Sequence, residues 1–317
     1  MSPNKRDLNQ PIEEKANIKS RAGFICLAGA PNSGKSSLLN SYLGQKVAIV
    51  SPKPQTTRGR ILGVVTQKAG QIIFCDTPGL NLSQKGLNLE MAAETQKALK
   101  EADCCLWLID GLRASDQNHQ RALEVMANLE DKPVGAAINK CDLLNNEQIA
   151  LLIAQIKQQV RLEFIEPISV KTGKGLKSLK RRLISLLPLS PPLFESDYLT
   201  DQTLRQIASE FVREAIFNNA HQEIPYSCAV TVEKFLEPIP EDSYQGHRVW
   251  ATIHVEKEAQ KKVLVGKGGS MIKKIGQEAR LALEDFLDQR LSLNLFVKVS
   301  PSWTTDSRLK AEFGYRG

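Results

Sequence analysis

A glycine-rich segment near the start of the chain has the composition and spacing of a loop that binds phosphate groups. Residues 29–36 spell Gly-Ala-Pro-Asn-Ser-Gly-Lys-Ser, directly after an apolar strand-like run and before a helix-like stretch. Glycines let the backbone curl so that consecutive N–H groups point at a phosphate chain, and the helix start adds partial positive charge. We expect Lys35 to reach the β and γ phosphates and Ser36 to ligate Mg²⁺. The predicted loop residues are Gly29, Ala30, Pro31, Asn32, Ser33, Gly34, Lys35, Ser36 and Ser37.

A second motif, Asp76-Thr77-Pro78-Gly79, follows the strand-like run 72–75. An aspartate at the end of a strand beside a phosphate loop can hold Mg²⁺ through water, and the Gly79 N–H can bond a γ-phosphate. On its own this tetrapeptide is an ordinary Pro-Gly turn, and its position after the phosphate loop is what favours a function. The predicted nucleotide contacts here are Asp76, Thr77, Pro78, Gly79 and Leu80.

Two further loops predict which base the site selects. One is 139–142, Asn-Lys-Cys-Asp, and the other is 169–171, Ser-Val-Lys. The Asp142 carboxylate can accept hydrogen bonds from guanine N1–H and from its exocyclic amino group, whereas adenine would leave that carboxylate unmatched. Asn139 would tie the loop together, and a backbone N–H of the second loop would meet guanine O6. The predicted base-pocket residues are Asn139, Lys140, Asp142, Ser169, Val170 and Lys171.

The elements that position these loops alternate along residues 24–187. Short apolar runs are typical of buried strands, and amphipathic helix-like stretches lie between several of them. This alternation predicts an α/β domain with a mostly parallel sheet and helices on both faces. Lys68-Ala69-Gly70, between two strand-like runs, predicts a hairpin and therefore one antiparallel strand.

A proline-rich stretch divides the chain near Pro188. Beyond it the order becomes helix, strand, strand, basic segment, long helix and strand, which indicates a compact α+β module. The predicted organisation is a flexible N-terminal tail over 1–20, a first domain over 21–187, a stiff linker over 188–197, a second domain over 198–300 and a C-terminal tail over 301–317.

The second module carries a basic glycine loop suited to nucleic acid. Residues 257–280 hold seven basic and two acidic side chains around Gly-Lys-Gly-Gly at 266–269. Because no Cβ blocks a G-x-x-G loop, a nucleic-acid backbone can come close, which is how KH domains grip about four single-stranded nucleotides. The alternative is a glycine turn before a solvated basic helix. The predicted RNA contacts are Gly266, Lys267, Gly268, Gly269, Lys273, Lys274 and Arg280.

With these motifs in this order, the chain resembles the Era family among the translation-factor-related GTPases. The resemblance rests on 29–40, 51–63, 76–80, 139–142 and the second module. It implies a P-loop GTPase domain followed by a type II KH domain. It also implies an enzyme that binds GTP and GDP, hydrolyses GTP with Mg²⁺, and assists 30S ribosomal subunit assembly as a monomer by binding the 3′ end of 16S ribosomal RNA.

The resemblance further implies roles in hydrolysis. Residues 55–58 would form the first switch, ordered when GTP binds. Leu80 stands where Ras-like enzymes carry a glutamine that orients the attacking water, so we expect slow unaided hydrolysis, with a K⁺ ion near Asn32 as a hypothesis for outside help. The expected metal ligands are Ser36, Thr57 and Asp76, and the expected catalytic residues are Lys35, Thr57 and Gly79.

Composition narrows the class of protein. The 317 residues are 42% hydrophobic and 24% charged, which is typical of a folded globular protein. No apolar run approaches the roughly 20 residues of a membrane-spanning helix, and the N-terminus lacks a signal peptide, so we expect a cytoplasmic protein with buried free cysteines. Peripheral association with the inner membrane face is implied by the resemblance alone.

The net charge of +7 is unevenly spread. Residues 1–190 carry 26 basic and 17 acidic side chains, and residues 191–317 carry 16 and 18. The module assigned to RNA is therefore slightly acidic overall. The local excess of positive charge around its glycine loop predicts that contact with RNA is confined to that region. A basic run over 171–182 is either a solvated helix face or a contact for RNA or an anionic membrane.

Two alternative functions stay open. In the first, the GTPase acts mainly through protein or membrane partners and the KH-like module is an adaptor. In the second, the chain is a plain RNA-binding protein with a degenerate nucleotide site, against which the intact Lys35, Ser36, Asp76 and Asp142 argue. Trp303, in the tail, is expected to pack against the module rather than stack on a base.

Overall fold

The computed structural model describes residues 20–51, 53, 56–80, 87–129, 131–240 and 244–314. The predictions for residues 1–19, for Gln55 in the first switch and for the end of the C-terminal tail lie outside these described residues.

A six-stranded sheet forms the framework of the first half of the chain. Its strands are β1 Arg21–Ala28, β2 Ile61–Gln67, β3 Gly70–Asp76, β4 Cys104–Asp110, β5 Val134–Asn139 and β6 Phe164–Pro167, in the order β2-β3-β1-β4-β5-β6. β2 and β3 pair antiparallel through the predicted hairpin, and the other neighbouring strands are parallel. The predicted fold class is confirmed. β4 is buried at every position, because a parallel sheet covered on both faces needs apolar residues on both sides of its strands.

Helices cover both faces of this sheet. They are α1 Lys35–Leu43, α2 Leu87–Glu101, α3 Gln117–Ala127, α4 Asn146–Gln159 and α5 Leu176–Leu186. Leucines of α1 and α5 pack on one face, and apolar residues of α2, α3 and α4 pack on the other. The phosphate, aspartate and base loops all follow carboxyl ends of strands, so the sheet brings them to one edge. The six cysteines are buried free thiols, as predicted.

The proline-rich stretch does not hang free but lies against the first sheet. Gln71 of β3 accepts hydrogen bonds from the Leu193 and Phe194 amides at 2.7 and 2.9 Å and donates to the Phe194 carbonyl at 2.8 Å. Further along, the Thr200 hydroxyl donates to the Leu62 carbonyl at 2.7 Å. The proline-rich stretch and the residues just after it therefore lie against the β2 end of the sheet, and 199–200 cover β2, which would otherwise be an open edge.

The second half of the chain forms a separate three-stranded sheet with helices. Its elements are α6 Leu204–Asn219, β7 Ala229–Leu236, β8 His247–Val255, α7 Glu258–Val265, α8 Ser270–Leu287 and β9 Leu291–Val299. The sheet order is β7-β8-β9, with β7 antiparallel and β9 parallel to β8. The sequence predicts only a basic segment where α7 forms. That helix has eight residues and one fully buried side chain, Leu264, so its apolar pattern is weak.

The C-terminal tail packs back on this domain. Trp303 is fully buried against Ala229 and Phe313, and its indole N–H donates to the Ser227 carbonyl at 3.0 Å. A short helix, α9 Ser307–Glu312, leads to Phe313. The prediction that Trp303 packs inside the module is confirmed. No helix in the described part of the chain has the length and apolar character to span a bilayer.

Candidate functional site: nucleotide pocket and basic groove

The phosphate loop joins β1 to α1, and the side chain of its lysine folds back onto the loop. The Lys35 side chain is buried, and its ammonium donates to the carbonyls of Gly29 and Ala30 at 3.2 and 3.1 Å. Burial lowers the pKa of Lys35, while the charge of Asp76 opposes that shift. Gly34 sits at φ +102°, and a Cβ there would lie 2.4 Å from Asn139 Nδ2. The second glycine of the motif is therefore required by backbone conformation and by packing.

Three predicted metal ligands meet behind this loop. The Ser36 hydroxyl donates to Asp76 Oδ2 at 2.6 Å and lies 3.0 Å from Thr57 Oγ1. Burial raises the pKa of Asp76 to about 6, against the Lys35 charge and the Ser36 hydrogen bond, which lower it. Asp76 Oδ1 is buried with no hydrogen-bond partner. Two hydroxyls and one under-used carboxylate are the hard oxygen donors that Mg²⁺ prefers, and they leave room for water and phosphate oxygens.

The loop after Asp76 is fastened to the phosphate loop. The Leu80 amide donates to the Gly29 carbonyl at 3.1 Å, and a Cβ on Gly79 would come within 2.9 Å of Pro31. The Thr77 hydroxyl turns inward and donates to the Leu27 carbonyl at 2.8 Å. Thr77 thus holds the strand end in place instead of facing the pocket. Leu80 packs with the apolar cluster beneath α2, α3 and α4, so it offers nothing to an attacking water.

The base loops are assembled around one amide side chain. Asn139 Nδ2 donates to the Ser33 carbonyl at 2.9 Å, and its Oδ1 accepts from the Lys140 and Val170 amides at 2.8 and 3.1 Å. Asp142 stands exposed beside them, and a hydrogen bond from Ser169 lowers the pKa of its carboxyl. An ionised acceptor facing solvent at the mouth of a pocket suits a ligand edge with two N–H donors.

These loops line one cavity of about 480 Å³, a size suited to a mononucleotide. Most of the predicted nucleotide residues line it. Those that do not are Gly29, Ala30, Ser33, Asp76, Thr77, Pro78 and Leu80. Asp76 is fully buried behind Ser36, so it can act on a ligand through the hydroxyl, a metal ion or water.

A second concave surface lies on the other domain, between α8 and β9. Its volume is about 470 Å³, and its walls include Lys273, Arg280 and two leucines of β9. The glycine loop ends where α8 begins, and Gly268 and Gly269 have φ of +60° and +79°. A Cβ on Gly268 would meet nothing within 4 Å, so the loop is open to an approaching backbone.

The predicted basic contacts differ in their surroundings. Lys267, Lys273 and Lys274 are exposed, but of the predicted RNA contacts only Lys273 and Arg280 line the groove, and the glycine loop with Lys267 lies outside its lining, as does Lys274. Arg280 lines it while donating to Glu284 at 2.6 Å, so part of its charge is already compensated.

Each half of the chain matches a family of known proteins. Residues 24–140 match the family model described as "50S ribosome-binding GTPase", and residues 223–304 match that of the KH domain. The protein described as GTPase Era from Geotalea uraniireducens (strain Rf4) is 40% identical over 295 residues, covering 93% of this chain and 98% of its own. GTPase Era from Geobacter sp. (strain M21) is 40% identical over 297 residues, with 94% and 98% covered. The chain belongs to the Era family of GTPases.

Solved structures agree with this assignment. A variant of Aquifex aeolicus Era bound to GDP·AlF4⁻ has a TM-score of 0.87 at 36% identity, covering 94% of this chain and all of that one. A structure of Era with MgGDPNP and nucleotides 1506–1542 of 16S ribosomal RNA gives the same TM-score, identity and coverage. The predicted family and GTPase activity are confirmed.

Several residues of this Era-family chain escaped the sequence prediction. Asp110 ends β4 and pairs with the Lys140 ammonium at 2.6 Å, which fixes the lysine stem beside the base pocket. Its position at a strand end, like that of Asp76, was a usable signal. Ser51 and Thr56 line the nucleotide pocket and lie in the 51–63 stretch that carries the resemblance, Thr56 within the predicted first switch. The lining residues that were not predicted are Ile49, Val50, Arg113 and Leu143 in the nucleotide pocket and Ile272, Gly276, Gln277, Leu293 and Leu295 in the groove.

Proposed function

We propose that this Era-family GTPase is a nucleotide-controlled clamp for the single-stranded 3′ end of 16S ribosomal RNA and acts during 30S subunit assembly. The observation that carries the proposal is the pairing of two preformed cavities in one chain, a guanine-nucleotide pocket and a basic groove beside an open glycine loop. Its solved relative holds MgGDPNP and nucleotides 1506–1542 of that RNA. We assign the nucleotide pocket to a domain over 21–187 and the groove to a domain over 198–300.

In the nucleotide pocket, the backbone N–H groups of 29–37 would surround the phosphates. Lys35 would leave its two carbonyl acceptors for the β and γ oxygens. Ser36, Thr57 and, through water, Asp76 would hold Mg²⁺, which would offset negative charge as the γ-phosphate leaves. The Gly79 amide would bond the γ-phosphate, and Asp142 would select guanine.

The side chain at position 80 cannot orient the water molecule that attacks the γ-phosphate. Leu80 is partly buried against the apolar cluster, and we keep K⁺ beside Asn32 as the hypothesis for help in hydrolysis. Turnover should then be faster in K⁺ than in Na⁺ at equal ionic strength. Equal rates in the two buffers would contradict this part of the proposal.

In the groove, the glycine loop would admit the RNA backbone while Lys267, Lys273 and Arg280 neutralise phosphates. Lys267 belongs to the glycine loop, whereas Lys274 belongs to neither the loop nor the groove lining, so we expect the effect of Lys274 to be smaller. The bases would then face the apolar wall of β9.

The deciding experiment measures binding of a fluorescent RNA of the 16S 3′-end sequence to the full chain. The wild type is compared with Gly266→Asp plus Gly269→Asp, and with Asp288→Asn as a surface control in the same domain. We expect the double variant to lose at least about tenfold in affinity, because a side chain at 266 would lie 2.8 Å from Met271 and distort the loop, and both substitutions add negative charge where phosphates approach, while the control keeps it.

Each other outcome has a meaning. RNA binding that survives the double substitution would favour the alternative in which the module is an adaptor for protein or membrane partners. A scrambled RNA that binds equally well would remove the 16S assignment but keep a single-strand clamp. Absence of any Mg²⁺-dependent GTP binding would favour a plain RNA-binding protein.

A further inference from the structure

The segment around Thr57 is held from both sides by the second domain. Before it, the Thr56 carbonyl accepts a hydrogen bond from Arg213 Nη2 of α6 at 2.9 Å. After it, the Arg58 guanidinium reaches into the loop that precedes β7. There it donates to the carbonyls of Pro225, Tyr226 and Cys228 at 3.0, 2.8 and 2.7 Å. A metal ligand of the first domain thus lies between two anchors to the second.

Both anchors are buried. Arg58 is 6% exposed and Arg213 is 2% exposed, while Thr57 between them is 7% exposed. Arg213 is also paired with Glu210 at 2.5 Å on its own helix. A buried guanidinium is stable only with its acceptors in place, and removing it leaves buried carbonyls without donors. These buried contacts therefore hold the backbone on both sides of Thr57 in one position.

Contacts with the second domain continue toward the start of the segment. The Lys53 ammonium donates to the Phe217 carbonyl and, at 2.5 Å, to the Ala220 carbonyl at the end of α6. Lys46 forms an ion pair with Glu214 of the same helix at 2.7 Å. Four cationic side chains thus fasten the described parts of 46–58 along α6 and the loop after it.

We propose that Arg58 and Arg213 are positioning residues of the nucleotide site, so that the second domain completes the Mg²⁺ site by holding Thr57 in place. This inference rests on the proposed function, and it adds that a residue of the second domain takes part in forming the Mg²⁺ site of the first. When the anchors hold, the Thr57 hydroxyl stays 3.0 Å from Ser36 Oγ and within the ligand set. When they release, Thr57 is free to leave.

The same loop connects these anchors to the helix that leads into the glycine loop. Ser227, between the carbonyls that Arg58 binds, accepts a hydrogen bond on its hydroxyl from Gln260 Nε2 at 2.9 Å. Gln260 Oε1 accepts from the amides of Glu256 and Lys257 at the start of α7, the helix that ends at Gly266. A ligand that stabilises this arrangement at either end must strengthen binding at the other by the same factor.

The test compares full-length wild type, Arg58→Ala, Arg58→Lys and a matched control, Arg60→Ala. Arg60 lies two residues away, is more exposed, and pairs with Glu101 inside the first domain at 3.1 Å. Two quantities are measured: the Mg²⁺ concentration for half-maximal GTP turnover, and the ratio of affinities for a non-hydrolysable GTP analogue with and without the 16S 3′-end RNA. Thermal unfolding of each variant checks that it is folded.

We expect Arg58→Ala to raise the half-maximal Mg²⁺ concentration on the order of tenfold and to bring the affinity ratio close to one. GDP affinity without Mg²⁺ should stay near the wild-type value, because the phosphate and base loops are untouched. Arg58→Lys should give an intermediate result, because one ammonium nitrogen would replace the two guanidinium nitrogens that reach the three carbonyls. Arg60→Ala should match the wild type.

The inference would be overturned if both Arg58 variants kept the wild-type Mg²⁺ dependence and the wild-type ratio of GTP-analogue affinities with and without RNA. It would also be overturned if Arg60→Ala changed these two quantities as much as Arg58→Ala does. If Arg58→Ala does not fold, Arg58→Lys decides by the same two readouts. If the wild type itself fails to bind the RNA, the proposed function fails on that count, and the Mg²⁺ titration alone still decides whether Arg58 positions Thr57.

Discussion

Asn139 Nδ2 donates to the Ser33 carbonyl at 2.9 Å, so the loop that we propose recognises the base is fastened directly to the proposed phosphate loop. The two residues are 106 positions apart. The other end of the same amide accepts from two backbone N–H groups, one in each base loop. One buried side chain thus sets the spacing between the proposed phosphate loop and the two proposed base loops.

Replacing Asn139 by alanine should therefore weaken GTP and GDP alike. Three hydrogen bonds are lost and the buried groups they serve are left unpaired, so we expect at least about a tenfold loss in affinity for each nucleotide. Fluorescent nucleotide titration measures both. Asn128→Ala is the control, because Asn128 bonds only its own helix on the surface. A variant that loses GTP affinity but keeps GDP affinity would contradict this role, since the linkage does not involve the γ-phosphate.

Asp142→Asn should change the preferred base. The amide presents an N–H where the carboxylate accepted one, which suits the 2-carbonyl of xanthine and opposes the guanine amino group. We expect GDP affinity to fall and xanthosine diphosphate affinity to rise, each by at least about tenfold. Competition between the two nucleotides measures the exchange, with Asp131→Asn as an exposed control. An unchanged preference for guanine would mean that another residue reads the base edge.

Lys35→Met should separate stability from ligand binding. Burial lowers the pKa of Lys35, so the folded protein disfavours the ammonium even with its two carbonyl acceptors. We expect the nucleotide-free variant to unfold at the wild-type temperature or above it, while GTP affinity falls at least about tenfold. Thermal unfolding and nucleotide titration measure the two effects, and Lys157→Met, at an exposed position of α4, is the control. A lower unfolding temperature would show that the two hydrogen bonds outweigh the burial cost.

Sequence reasoning predicted the first domain because each of its signals is local. The strand runs are continuous and apolar, and the motifs at 29–36, 76–79 and 139–142 are short loops whose chemistry depends on the backbone. Their meeting at one sheet edge follows from parallel strands alone. Ser36 and Asp76 lie together for this reason, whereas Thr57 precedes the antiparallel strand β2 and its place in the ligand set was implied by the family resemblance.

What the sequence could not predict depends on contacts between distant segments. Arg58 binds backbone carbonyls about 170 positions away, and a carbonyl leaves no trace in a residue pattern. The α7 helix was not predicted, because it has one buried leucine among charged residues and therefore no clear helical pattern of apolar positions. The groove wall of β9 was missed because Leu293 and Leu295 carry the same alternation as any core strand.

The stability of the second domain should decrease in mild acid because of His254. This imidazole is buried, stacks on Phe313 at 4.0 Å, and contacts the hydroxyls of Thr231 and Ser300 at 2.9 and 3.0 Å. Burial lowers the pKa of His254 in the folded state. Below the ordinary histidine pKa of about 6.5 the unfolded chain takes up a proton that the folded chain refuses, so stability falls as the pH drops through that value.

We therefore expect the unfolding temperature of the wild type to fall more steeply between pH 7.5 and 5.5 than that of His254→Gln. The variant cannot take up this proton, while other groups, including His119 with its own lowered pKa, titrate alike in both proteins. His221→Gln, at an exposed site, should follow the wild-type slope. Parallel slopes for wild type and His254→Gln would show that the buried imidazole keeps its ordinary pKa, and that the packing of Phe313 over it does not exclude the proton.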